Sequence, residues 1–356
     1  MFKDLKVIEL ASVLAGPAVG TFFAELGAEV IKVENKRSGG DMTRKWKLPG
    51  ESSDSNVSAY FSSVNYGKNY IAKDFTVEAD RVEIHELIKA ADIVIANFKM
   101  GSAEKFSMDY KTLSAMNASL VYAQVDGFAS DPQKVAFDVV LQAETGFMSM
   151  CGFTDREPAK IPVALIDIIA AHQLKEGILL ALLNRQKNGK GSFVRVSLEE
   201  AALASLANQA SNYLMGGHIP QRMGSLHPNI APYGEIFSTK DDEWVVLAVG
   251  TDHQFEVLCD VLGCKELSHN EKYVTNTNRV VNRVELKEML NGYIESWDVH
   301  KLMSACKSRK IPIGQIRDMQ QVFATPTAQQ MILSERIEGK ETKRMRTVAF
   351  HILPNK

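Results

Sequence analysis

Apolar residues along the first third of the chain follow two alternating patterns. Short apolar runs, LKVIEL (5–10), EVIKVE (29–34), DIVIAN (92–97) and LVYAQVDGF (120–128), read as buried strands. Helical spacing fills the intervals: GPAVGTFFAELG (16–27), closed by Gly27, then 78–90 and 102–116. Strand–helix alternation implies an open, mainly parallel α/β sheet with helices on both faces. Ligands on such sheets lie beyond the carboxyl ends of the strands, here 10–14, 34–37, 97–101 and 127–130. A polar stretch from Asn35 to Val57 interrupts the pattern.

A long helix is expected over 167–187, then the turn Asn188-Gly189-Lys190-Gly191, strand FVRVSL and one helix, LEEAALASLANQASNYLM. Gly216 to Pro232 reads as a linker. A smaller α/β unit starts at Tyr233, with two strands around the turn Lys240-Asp241-Asp242 and helices near 252–262, 282–296 and 298–308. Strand 311–318, a Met/Gln-rich helix and a β-like tail, RMRTVAFHIL, complete the pattern. The expected division is a large domain over 1–200, helix and linker over 201–232, a small domain over 233–310, and a return segment over 311–356.

The chain has 356 residues, 45% of them apolar, and 41 basic against 43 acidic side chains. A net charge of −2 provides no global field for nucleic acid or a membrane surface, so an anionic ligand needs a local cluster of cations. No apolar stretch reaches the length of a membrane span, and no signal peptide precedes the first strand. Cys151, Cys259, Cys264 and Cys306 show no CxxC spacing. Cys259 and Cys264 are expected on one helix, unsuited to a metal or a disulfide, which points to a reducing cytoplasm.

Asp167 is the only charged residue between Ile161 and Ala171. A buried carboxylate must be hydrogen-bonded, neutralised or put to work. One reading makes it the N-cap of the long helix; the other makes it a nucleophile. His172 reads as an ordinary helix residue. A nicotinamide dehydrogenase is disfavoured, because ASVLAGPAVG after the first strand lacks GxGxxG.

Several motifs occur in one order along the chain: Ala15-Gly16-Pro17, Leu26 to Glu34, Gly40-Asp41-x-x-Arg44, Asn65-x-x-Lys68, Asn97-Phe98-x-x-Gly101, Gln142-Ala143-x-x-Gly146, the Asp167 segment, Arg185-x-x-x-Gly189-x-Gly191, His227-Pro228 and Ile311-Pro312-Ile313-Gly314. Together they resemble the class III (CaiB/BaiF-type) CoA-transferase family, which includes formyl-CoA transferase and carnitine CoA-transferase. The resemblance implies an interlocked homodimer and transfer of coenzyme A from an acyl-CoA to a carboxylic acid. It implies no permanently bound cofactor and no metal; CoA and acyl-CoA are substrates. Asp167 falls on the family nucleophile. Val13, Ala15, Asn97 and Phe98 fall on CoA contacts, and Arg37 and Lys105 on phosphate contacts.

Each assignment has a plainer counterpart: a surface charge for Lys105, core packing for Phe98, and a helix start for Ala15-Gly16-Pro17. Phe137 stands where related acyl-CoA racemases place a histidine, which argues against racemisation and leaves Asp138 as a support for Asp167. Tyr66 stands where arginine is usual. Only Gly216-Gly217 and Gly224 occur where formyl-CoA transferase has a glycine run, which counts against oxalate and formyl-CoA. A CoA-binding protein without transfer activity is the remaining alternative.

Overall fold

The computed structural model describes residues 1–353, which form two compact units. The first comprises residues 1–149, 159–220 and the segment from 330 onward; the second comprises 150–158 and 221–329.

The first unit is built on six parallel strands: β1 (Lys6–Glu9), β2 (Glu29–Asn35), β3 (Asn69–Lys73), β4 (Ile93–Ala96), β5 (Val121–Asp126) and β6 (Ser192–Ser197). Their order is β3-β2-β1-β4-β5-β6. Alternate residues of the inner strands supply two cores. Val7, Ile93, Ile95, Val121 and Ala123 face one core, and Ile8, Val94, Ala96 and Tyr122 face the other. Its helices are α1 (Ala15–Glu25), α2 (Ala59–Ser63), α3 (Glu78–Lys89), α4 (Ser102–Lys105), α5 (Tyr110–Met116), α6 (Asp138–Glu144), α7 (Phe147–Met150), α8 (Leu165–Asn188), α9 (Leu198–Ala204) and α10 (Ala207–Gly216). Residues of α1, α8 and α9 cover the first core, and residues of α3 and α5 cover the second.

Four details differ from the sequence expectations. The helix expected over 102–116 divides into α4 and α5, because Ser107 takes φ +56° and Asp109 opens a new helix by accepting the Thr112 N–H at 3.0 Å. The helix after β6 divides likewise, with Ala207 at φ +46°. The edge strand β3 carries no fully buried residue, so its sequence shows no apolar alternation. Cys264 lies beyond the helix that holds Cys259 rather than on it, though its N–H still meets the Cys259 carbonyl at 2.8 Å.

The second unit carries an antiparallel sheet of β7 (Tyr233–Ser238), β8 (Trp244–Ala248) and β9 (Ile313–Gln315). Its main helices are α11 (Asp252–Leu262), α12 (Lys265–His269), α13 (Asn276–Val281), α14 (Arg283–Ile294) and α15 (Val299–Ser308). Because β9 hydrogen-bonds to β8, the chain does not return to the first unit at 311; residues up to 329 stay with the second. The return is the hairpin β10 (Ile332–Ile337) and β11 (Lys340–Met345), later than the return expected at 311. Ile337 packs on Val57 and Phe61, and Glu25 accepts the N–H groups of Thr347 and Val348. The Arg344 guanidinium lies 4.9 Å from the centre of the Tyr66 ring, a packing role for the aromatic residue at position 66.

Candidate functional site

The strand order reverses between β1 and β4, which leaves a crevice beyond their carboxyl ends. A cleft of about 1130 Å³ opens there. The β1–α1 turn (Ser12, Val13, Leu14, Ala15) lines one part of it, and the β4–α4 segment (Asn97 to Gly101) another. The carboxyl end of β5 contributes Gln124 to Phe128, β6 contributes Phe193 and Arg195, and α8 contributes Asp167.

Asp167 is the third residue of α8 and does not cap it. The cap position is Ala164, whose side chain makes no capping bond. Asp138 supplies the missing acceptor from outside the helix: its Oδ1 takes the Ile166 N–H at 2.7 Å. Gln142, fully buried, donates to Asp138 Oδ2 at 2.5 Å and accepts the Ile161 N–H at 2.8 Å. The segment that leads into α8 is therefore held at two points. This fixes the Asp167 backbone while leaving its carboxylate without a hydrogen bond from any described residue.

Asp167 is 8% exposed, and burial pushes its pKa up to about 7, with the neighbouring Asp138 charge adding to the rise. The positive end of the α8 dipole acts in the opposite sense, since it favours an anion there. Tyr60, half-buried, is pushed up to about 12 by burial and then by the carboxylates of Asp167, Asp138 and Asp41. A phenol that stays protonated beside three carboxylates is a ready donor. No sequence signal marked Tyr60: α2 spans five residues, too short for a periodic pattern.

Of the CoA contacts expected from the sequence, Val13, Ala15, Asn97 and Phe98 join Asp167 on the cleft wall. Arg37 and Lys105 are exposed and lie outside the lining. The cations on the lining are Lys99, Lys111, Lys134 and Arg195. Of these, Lys134 pairs with Glu144 and Arg195 with Asp126. The Asn97 side chain ties the two loops together: it accepts the Ser12 N–H at 3.0 Å and donates to the Ser12 carbonyl at 2.8 Å. Phe98 combines both readings, since it lines the cleft and meets Phe75 edge-on at 5.8 Å.

Residues 2–354 match the family model described as CoA-transferase family III. The chain belongs to that family. It is 38% identical over 345 residues to a succinate–glutarate CoA-transferase of Agrobacterium fabrum, covering 95% of this chain and 86% of the relative. It is 32% identical over 327 residues to a human succinyl-CoA:glutarate CoA-transferase, covering 91% and 73%. A crystal structure of a CaiB/BaiF family protein from Brucella suis superposes with a TM-score of 0.84 at 37% identity, covering 98% of this chain and 91% of that one. The activity of this family III CoA-transferase is movement of CoA between an acyl-CoA and a carboxylic acid. Among the described residues no group of His, Cys, Asp and Glu is arranged to hold a metal ion, and no helix is long and apolar enough to cross a membrane.

Proposed function

We propose that Asp167 carries the transfer as a covalent nucleophile. The supporting observation is a buried carboxylate that receives no hydrogen bond from any described residue, on the wall of the large cleft at the sheet's reversal point. An Asp167 oxygen attacks the thioester carbonyl carbon, and the tetrahedral adduct expels CoA thiolate to leave a mixed anhydride. The thiolate then attacks the aspartyl carbonyl, releases the first acid and forms an aspartyl thioester. The acceptor carboxylate reverses the sequence. Dividing the exchange in this way replaces one difficult displacement with easier ones.

The environment suits these steps. A pKa near 7 makes the carboxylate more basic than an ordinary aspartate, while a large fraction stays ionised at neutral pH. Ile166 and Ala170, both fully buried beside it, keep water from the anhydride. In this reading Val13, Ala15, Asn97 and Phe98 border the CoA moiety. Lys99 and Lys111 face its phosphates, and Arg37 and Lys105 meet only a phosphate end that extends beyond the cleft.

The acid partners are proposed to be short dicarboxylates, because relatives from Agrobacterium fabrum and Homo sapiens are named for succinate and glutarate. An interlocked homodimer is part of the proposal, supported by exposed apolar side chains on α10, where Leu214 and Met215 are 79% and 90% exposed. Four free cysteines suit a reducing cytoplasm.

The test is a mass-spectrometric screen of succinyl-CoA, glutaryl-CoA and acetyl-CoA against the matching free acids. Asp167→Ala is expected to abolish transfer and leave CoA affinity within a few-fold. Turnover by that variant at the wild-type rate excludes the nucleophile.

A further inference from the structure

Several sequence motifs that the transfer chemistry leaves without a role meet inside the first unit. Glu9 at the end of β1, Lys32 in β2, Asp41 and Lys68 are each no more than 7% exposed. Lys32 Nζ lies 2.9 Å from Glu9 Oε1, 3.0 Å from Asp41 Oδ2 and 2.8 Å from the Ala11 carbonyl oxygen. Lys68 Nζ reaches Glu9 Oε2 at 2.7 Å and donates to the Pro17 and Val64 carbonyls and to Asn65 Oδ1. Helix α1 lies close against this group: a Cβ at Gly20 would fall 1.9 Å from Glu9 Oε2. Burial opposes the Lys32 charge, but Glu9 and Asp41 outweigh it and raise its pKa. Burial also opposes the Asp41 charge, and Lys32 and Thr43 outweigh it in turn.

Buried ion pairs often stabilise a fold no more than well-packed apolar side chains would, so their outer contacts point to another role. Here the outer contact is on the cleft. The Asp41 carboxylate accepts the Val13 backbone N–H at 3.1 and 3.3 Å. Val13 stands at φ +73°, a left-handed conformation that a β-branched residue rarely adopts. Without an acceptor at that point, Val13 would relax to negative φ and turn its neighbours Ser12, Leu14 and Ala15 away from their places on the cleft wall.

We infer that Asp41, held by the Lys32–Glu9–Lys68 network, is a positioning residue that keeps the Val13 turn in the shape that receives the acyl-CoA. The inference rests on the proposed site and extends it from groups that border the substrate to the charges that shape one of its walls. Asp41 touches no substrate in this account.

The experiment compares wild type, Asp41→Ala, Val13→Gly and the double variant in steady-state transfer, in CoA titration and in melting. Asp41→Ala leaves Lys32 with Glu9 and the Ala11 carbonyl. It is expected to raise the acyl-CoA KM and the CoA Kd about tenfold while kcat changes less than threefold. Glycine takes positive φ without strain, so Val13→Gly alone keeps the turn, and its KM, which also reflects loss of the Val13 side chain from the cleft wall, is the reference for the double variant. In the Asp41→Ala background Val13→Gly is expected to recover at least threefold in KM while lowering Tm further. A purely structural Asp41 would leave the double variant worse in KM as well as in Tm. An unchanged KM in Asp41→Ala, or no recovery in the double variant, overturns the inference.

Should Asp41→Ala fail to fold, Asp41→Asn and Val13→Pro replace it. Asparagine still accepts the Val13 N–H and keeps KM within about threefold. Proline removes that N–H and forces negative φ, so KM rises about tenfold; equal KM values for these two variants overturn the inference. The wild-type assay separates the levels. A wild type that neither binds nor transfers acyl-CoA refutes the function, whereas an active wild type with Asp41→Ala unchanged refutes only the role of Asp41.

Discussion

At the scale of single residues, the proton on Asp167 links activity to stability. Its folded pKa, about 7, lies above the ordinary value of 3.8, first through burial and then through Asp138. The native state therefore holds a proton that the unfolded chain has released between about pH 4 and pH 7. Stability from this group is fully present at low pH, declines across that window and is level above it. Asp167→Asn removes the penalty. Without ligand, the Asp167→Asn variant is expected to resist urea better than wild type at pH 8, by up to ~4 kcal/mol, and to match it near pH 3. Catalysis runs the other way, with kcat/KM rising through pH 7 as the nucleophile ionises. Asp138→Asn can still accept the Ile166 N–H but removes the neighbouring charge, so it should move that midpoint to lower pH. A midpoint that stays in place would mean that burial alone sets the Asp167 pKa. Asp167 itself was legible in the sequence, because a lone charge in an apolar run is a local signal. Its unpartnered state was not, since Asp138 and Gln142 reach the α8 start from an element 28 residues away and show no spacing that announces it.

At the scale of elements, legibility followed burial. Strands buried on both faces, such as β4 with all four residues buried, were plain from their apolar runs. The edge strand β3 was not, and neither were the breaks at Ser107 and Ala207, where the apolar spacing continues across a left-handed residue. The core helix α8 offers a test of close packing. A Cβ at Gly177 would lie 2.5 Å from Val194 Cγ1 in β6, so the helix approaches the sheet only because that side chain is missing. Glycine to alanine in a helix interior ordinarily gains about 1 kcal/mol. Here Gly177→Ala is expected to reverse that sign and cost about 1–3 kcal/mol in chemical denaturation, because the core has no room for the methyl group. A stabilised variant would show that β6 can move away without loss.

At the scale of the whole molecule, the proposed assembly can be tested directly. Sedimentation at micromolar concentration is expected to give twice the chain mass of 39.4 kDa, and interlocked chains should not separate on dilution without unfolding. A 39.4 kDa species under those conditions contradicts the interlock. The division into units was only partly readable, because β9 is three residues long and shows its membership through pairing with β8 rather than through its own composition. The hairpin β10–β11 also has a consequence for biosynthesis. Its Ile337 completes a small core with Val57 and Phe61, which precede it by more than 270 positions. During translation those residues emerge early and wait uncovered while the entire second unit is made. That unit, whose sheet and helices come from an almost continuous stretch, can finish first, so the ribosome releases a first unit that closes only when residues near 340 leave the exit tunnel.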